Sequence, residues 1–351
     1  MEEMTLREKV GQLFFVRPDA LDPGQSLDEI DNVWGNGVKE LTSEVAERLR
    51  RYGVGGIVIF GKNLTSPQQL TELVADMQDQ SKVPLMFAVD EEGGAVSRLG
   101  SHPAFDLPWF PSAAVIGGEK KPETAEYMGR TIGEYLAMYG FAMDFAPVAD
   151  VLTNAENTVI GDRAFSSDGA VAAEMADAVA QGLLSRGIIP VYKHFPGHGG
   201  TAGDSHQGVA VLNRTAAELR QSEWLPYTEN DLTGCAVMVG HIAVPELTGD
   251  MTPSSLSRTV VTGYLREELG FEGLVITDSL AMKGITRNYA PGQAAVAALE
   301  AGCDVLLMPA DLAEAYAAVL YAAESGEIPM SRLDESVRRI LLYKAQIGLL
   351  Q

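Results

Sequence analysis

The chain has 351 residues, 46% of them hydrophobic, and a formal net charge of −22. That charge excludes nucleic acid and anionic membrane as main partners, because both select a basic face. No run of about 18 apolar residues is present to span a bilayer, and the opening MEEMTLREKVGQ is acidic and helix-like rather than a signal peptide, so a cytoplasmic location is expected.

In chain order, residues 4 to 10 (MTLREKV) predict a helical entry, with Thr5 as N-cap and Glu8 as its capping-box partner. Eight short apolar runs then read as buried strands: Gln12–Val16, Gly56–Phe60, Leu85–Val89, Ala142–Ala146, Ile188–Tyr192, Ala236–Gly240, Leu274–Thr277 and Val305–Met308. Helical periodicity fills the gaps at Pro67–Gln80, Glu123–Tyr139, Ala170–Arg186, Arg258–Leu269, Gly292–Ala301 and Leu312–Ser325. Continuous apolar strands alternating with amphipathic helices imply a parallel sheet covered on its outside. Eight such units predict an α/β fold, a single (β/α)₈ TIM-type barrel over residues 1–351, rather than an open doubly wound sheet, whose Gly-rich turn after the first strand is missing. Two insertions, Asp19–Lys39 and the Pro- and aromatic-rich Gly100–Lys121, are expected to cover the C-terminal face of the strands, with Trp34, Trp109 and Phe110 packed inside loops. Cys235 and Cys303 sit in apolar runs and read as buried thiols, not a disulfide or metal site.

In such barrels chemistry sits where strands end. Polar groups gather there: Lys62 and Asn63, then Asp90 with Glu91 and Glu92, Asp150, Lys193 and His194, His241, and Asp278. The stretch IIPVYKHFPGHGGTAGDSHQGV holds three of the five histidines, hung on a glycine-rich loop after a strand. A metal centre of His194, His198, Asp204 and His206 fits no standard zinc spacing, so no metal is expected. A Schiff-base lysine at Lys193 leaves His194 and the long loop without a task. Glycosyl transfer uses them better: Asp278 as the carboxylate beneath the anomeric carbon, His206 as proton donor and Asp204 to orient it. Lys193 and Arg98 are expected to keep Asp278 ionised. His198 and Asp150 read as structural, His102 as exposed, and His241 as either lining the pocket or bonding within it.

KHFPGHGGTAGDSH, GLVITDSLAMKGI and VDEEGGAVSRL, with TLREKVGQLFFV, GFAMDFAPVADV and VIGDRAFSSD in the same order, resemble glycoside hydrolase family 3, in its β-N-acetylglucosaminidase branch. The resemblance covers nearly the whole chain. It implies a retaining hydrolase without cofactor, acting on a small carbohydrate through a glycosyl-aspartate intermediate. Asp278 falls on the nucleophile, and His206 with Asp204 on a His–Asp acid/base dyad. Asp90, Arg98, Arg163, Lys193 and His194 fall on positions that grip the sugar at the non-reducing end. Glucoside-specific members carry a second domain, for which this chain leaves no length. Two departures stand out: Gly200 replaces a common polar residue, and Ala95 a common arginine. A phosphorylase of the same family, or a carbohydrate-binding barrel without activity, are the rival readings.

Overall fold

The computed structural model describes residues 3–202 and 208–350; Asp204 and His206 lie outside them. A parallel sheet of eight strands forms from β1 (Phe14–Val16), β2 (Gly56–Val58), β3 (Met86–Val89), β4 (Met143–Asp144), β5 (Ile189–Phe195), β6 (Ala236–Val239), β7 (Leu274–Thr277) and β8 (Leu306–Leu307). Neighbours run β7-β6-β5-β4-β3-β2-β1-β8, and a parallel bridge from Ile276 to Val305 closes the ring. Every predicted strand is therefore present, each inside or overlapping its apolar run. The strands are buried along their length because helices cover the outside while Phe14, Phe15, Phe87 and Tyr192 fill the core.

The entry helix Leu6–Gln12 starts where the caps demand: Thr5 and Glu8 each accept the other's backbone N–H. The predicted outer helices appear at Pro67–Asp79, Pro122–Met138, Gly169–Leu184, Pro291–Ala301 and Leu312–Ser325, and as a π-helical segment at Thr259–Glu268. The longest helices outside the predicted set are Ser43–Tyr52 and Met330–Gln346 among the described residues. The second buries Leu333, Val337, Ile340 and Tyr343, a 3–4 spacing that is plain in the sequence once its charged face is discounted. Among the described residues, no helix is long and apolar enough to cross a membrane.

The end of the barrel away from the strand C-termini is tied by charge. Asp304 accepts hydrogen bonds from Arg266 at 2.6 Å, Arg339 at 3.2 Å, Ser336 at 2.7 Å and the Val275 N–H at 3.0 Å. Lys344, buried there, donates to Gln12 Oε1 at 2.6 Å, and burial draws its pKa down to about 7. Both thiols are buried, and burial pushes each up to about 12.

Lys62 and Asn63 at the end of β2 do structural work rather than joining the site. Asn63 donates to Asp19 Oδ2 at 3.1 Å and to the Val38 carbonyl at 3.0 Å, while Asp19 accepts the Val38 N–H at 2.9 Å. Lys62 is spent on the Glu29 and Ile30 carbonyls at 3.1 and 2.9 Å. These bonds hold the first insertion over the barrel, because a loop crossing a barrel mouth must find partners for its buried backbone groups.

Candidate active site

The far rim of the mouth is built from one carboxylate. After β3, residues 91–93 and 96–97 pair as a short antiparallel hairpin. Glu91 sits buried inside its turn and accepts the backbone N–H groups of Arg98 at 2.7 Å, Leu99 at 2.9 Å and Gly100 at 3.0 Å. It also accepts from the hydroxyls of Ser97 and Tyr135. Five donors on one carboxylate fix the loop, and so fix Arg98, whose guanidinium stands 3.5 Å from Asp90. Beneath it, Asp144 of β4 accepts the Glu91 N–H at 3.0 Å. Burial and the Glu91 charge raise Asp144 well above the usual carboxylate range.

The charged cluster itself alternates in sign. Lys193, at the end of β5 and 2% exposed at its side chain, lies 2.9 Å from Asp90 and 2.5 Å from Glu92. Arg163 reaches Glu92 through two parallel bonds, at 2.8 and 2.7 Å, and gives its remaining nitrogen to the Val159 carbonyl at 3.3 Å. Burial alone would raise Asp90, but Lys193 and then Arg98 outweigh it and hold the carboxyl at about 2. Glu92 is lowered too, with burial opposed by Lys193 and Arg163. Lys193 is raised despite its burial, because both carboxylates favour the ammonium. An ammonium held between two carboxylates is poorly placed to add to a carbonyl, which speaks against the Schiff-base reading.

On the other side stand the imidazoles. Asp150, 1% exposed, receives His194 Nδ1 at 2.6 Å on one oxygen and the His198 N–H at 2.6 Å on the other. Burial would raise this carboxyl, yet His194 lowers it. With Nδ1 committed to Asp150, Nε2 is the His194 ring atom left to face a ligand. His198 bonds Thr201 at 3.1 Å through Nδ1, and burial lowers its pKa. His241 gives Nε2 to the Ser279 carbonyl at 2.8 Å and meets the Ser255 hydroxyl at 2.7 Å through Nδ1. A carbonyl can only accept, so Nε2 carries a proton toward Ser279; burial lowers the pKa of this ring. His241 therefore bonds within the wall of the site.

Asp278 ends β7. Its N–H donates to the Val239 carbonyl at 2.9 Å, and its Oδ1 accepts the Ser279 N–H at 2.7 Å. One oxygen is thereby oriented. The cations expected to hold this group ionised are placed elsewhere: Lys193 pairs with Asp90 and Glu92, and Arg98 with Asp90. Lys193 stands on β5, two strands from β7, and Arg98 on the loop after β3, four strands from it in the ring of eight.

The glycine loop is shaped by close approach. A side chain at Gly199 would run into the Val151 carbonyl at 2.1 Å. At Gly200 it would meet Glu223 and Thr153, which hydrogen-bond to each other at 2.7 Å. That half-buried pair occupies the space of the polar side chain expected at position 200. Among the described residues, no three His, Cys, Asp or Glu side chains are grouped to hold a metal ion.

Some expectations needed correction. Trp34 is 90% exposed and Trp109 59% exposed, so neither packs within its loop; Phe110 does pack, edge-on against Tyr127. His102 is half-buried rather than free, with Nδ1 accepting the Ala104 N–H at 3.2 Å. Glu92 and Asp144 were not singled out as partners of the cluster. The acidic run DEEGG could have signalled the first, since consecutive carboxylates after a buried strand need cations nearby. Asp144 was hidden inside an apolar run.

The Glycosyl hydrolase family 3 N terminal domain matches residues 5–342. The chain is 37% identical over 342 residues to beta-hexosaminidase LpqI of Mycobacterium tuberculosis, covering 93% of this chain and 84% of that protein. It is 31% identical over 333 residues to beta-hexosaminidase A of Pseudoalteromonas piscicida, covering 88% of this chain and 56% of the relative. A solved family 3 beta-N-acetylglucosaminidase from a Paenibacillus species superposes with a TM-score of 0.89 at 33% identity, over 99% of this chain and 63% of that one. The chain thus spans little more than half the length of some relatives and most of the length of others. These matches place the barrel among the glycosidases. The chain belongs to glycosyl hydrolase family 3.

Proposed function

We propose that this barrel, taken as one catalytic domain over residues 1–351, is a retaining β-N-acetylhexosaminidase. It removes terminal N-acetyl-β-D-glucosamine from the non-reducing end of chitin- or cell-wall-derived oligosaccharides. The observation that carries the reading is the placement of Asp278 at the end of β7, in the same barrel mouth as the Asp90–Lys193–Glu92–Arg163 cluster drawn from the ends of β3 to β5. A pyranose laid across the mouth then has its anomeric carbon over Asp278 and its far hydroxyls at the cluster. Two relatives named beta-hexosaminidases and a solved beta-N-acetylglucosaminidase support the sugar.

In the reaction, Asp278 attacks the anomeric carbon through the oxygen not held by the Ser279 N–H, and the bond to the leaving oxygen breaks. His206, oriented by Asp204, gives its proton to that oxygen. The same ring, now neutral, takes a proton from water as the water displaces the aspartate. Asp90, Arg98, Arg163, Lys193 and the free Nε2 of His194 bind hydroxyls of the ring. Their mutual ion pairs fix them before substrate arrives, so little ordering remains to be done on binding. Turnover of an aryl N-acetyl-β-glucosaminide, chitobiose and muropeptide fragments tests the reading. Activity on the corresponding β-glucoside but not on the N-acetyl sugar would overturn it.

A further inference from the structure

The turn that begins at Asp278 is tied to the strands on both sides of it. On one flank the Asp278 N–H donates to the Val239 carbonyl of β6 at 2.9 Å. On the other, the Leu280 and Ala281 N–H groups donate to the Leu307 and Met308 carbonyls, at β8, at 2.9 and 3.1 Å. To these backbone ties His241, two residues past the end of β6, adds a side chain. Its Nε2 lies 2.8 Å from the Ser279 carbonyl, which also accepts the Met282 N–H at 3.0 Å from within the turn. The N–H of the same Ser279 holds Asp278 Oδ1 at 2.7 Å. One residue thus receives the imidazole at its carbonyl and orients the carboxylate with its amide. The ring is fixed at its other nitrogen as well, because Nδ1 meets the hydroxyl of the fully buried Ser255 at 2.7 Å. Burial lowers the pKa of His241 and the Asp278 charge opposes it, as it does for a ring beside that carboxylate.

We propose that His241 is a positioning residue for glycosyl transfer to Asp278: its Nε2–H, bonded to the Ser279 carbonyl, holds the turn whose Ser279 N–H aims the attacking carboxylate. The inference rests on the proposed function, since it gives His241 a task only if Asp278 is the nucleophile. Attack on an anomeric carbon needs the carboxylate oxygen in line with the leaving bond, and a misplacement of about 1 Å can cost about 100-fold in rate. A turn held by backbone bonds alone keeps some play at residue 279. The imidazole, wedged between Ser255 and Ser279, removes it. His241 touches neither sugar nor proton in this account and acts through Ser279.

The test compares His241→Gln with His241→Met in the full chain. The two side chains have the same length, but the glutamine amide keeps an N–H donor about where Nε2 stands and methionine has none. Each variant is incubated with an activated fluoro-sugar N-acetylglucosaminide, and intact-protein mass follows labelling over time at several concentrations. The final extent of labelling counts folded sites, the half-saturating concentration reads binding, and the first-order rate constant reads the placement of Asp278. His241→Met is expected to label fully with half-saturation little changed, but with a rate constant lower by about 30-fold. His241→Gln should stay within about threefold of the unmodified chain. Ser255→Ala, which keeps the donor but frees the ring, should fall between them. Equal rates for the Gln and Met variants, or a Met variant as fast as the unmodified chain, overturn the proposal. If the Met variant does not fold, Ser255→Ala decides, and a rate matching the unmodified chain is the contrary result. Absence of label from the unmodified chain itself strikes the proposed function and this inference with it, whereas a labelled chain indifferent to these changes strikes the inference alone.

Discussion

Nδ1 of His194 lies 2.6 Å from Oδ2 of Asp150, and the other oxygen of Asp150 holds the backbone N–H of His198 at 2.6 Å. One buried carboxylate therefore sets both the tautomer of the His194 imidazole, which we propose faces the sugar, and the start of the glycine loop. Asp150→Asn keeps the shape but presents an amide where two charge-assisted bonds were made. Such bonds are worth about 1.5–3 kcal/mol each, so kcat/KM on an aryl N-acetyl-β-glucosaminide is expected to fall by about 10- to 100-fold. The fold, followed by circular dichroism, should be retained. Unchanged kinetics would mean that His194 does not bind substrate through Nε2.

Glu92→Gln leaves Arg163 without its bidentate partner and Lys193 with Asp90 alone. Breaking a buried pair by removing one partner costs about 3–5 kcal/mol. Residual pairing with Asp90 should put this variant at the lower end, read as a lower urea midpoint with the slope unchanged.

Acid stability follows from the same cluster. Asp90 has a folded pKa of about 2 against an ordinary 3.8, so the native state holds fewer protons between those values. Its contribution is present above pH 3.8 and is lost as pH falls toward 2. Asp90→Asn should flatten the drop in urea stability across that window. An equally steep drop would place the acid-labile group elsewhere.

At the opposite end of the barrel the sign is reversed. Lys344 has a folded pKa of about 7 against 10.5, so between those values the unfolded chain binds more protons than the folded one. Stability attributable to this group rises with pH through that window, and below about 7 the deficit is full. Lys344→Met should therefore stabilise the protein more at pH 6 than at pH 10. Equal effects at both, in denaturant titrations, would show that the lysine is charged in the native state throughout.

The barrel was legible because each of its strands is buried on both faces and so reads as an unbroken apolar run. Helix Met330–Gln346 was missed because its charged residues Arg332, Glu335, Arg338 and Arg339 dilute the apolar spacing. At the site, residue identity could be read but partnership could not. Nothing in the order of residues says that Lys193 pairs with Asp90 and Glu92, because β5 lies two strands from both β3 and β7 in the ring. Lys62 and Asn63 stood at a strand end like the others, yet the insertion after β1 claims them for its own backbone. Trp34 was expected to pack, and the loop instead turns it into solvent beside an open cleft.

The central claim is that Asp278 forms a bond to the sugar. Incubation with an activated fluoro-sugar glycoside, followed by intact-protein mass and peptide mapping, tests it most directly. A gain of one glycosyl unit on the peptide holding Asp278, absent in Asp278→Asn, is the predicted result. Steady release of the aryl alcohol from its N-acetylglucosaminide with no labelled protein, or a label on another residue, would contradict it.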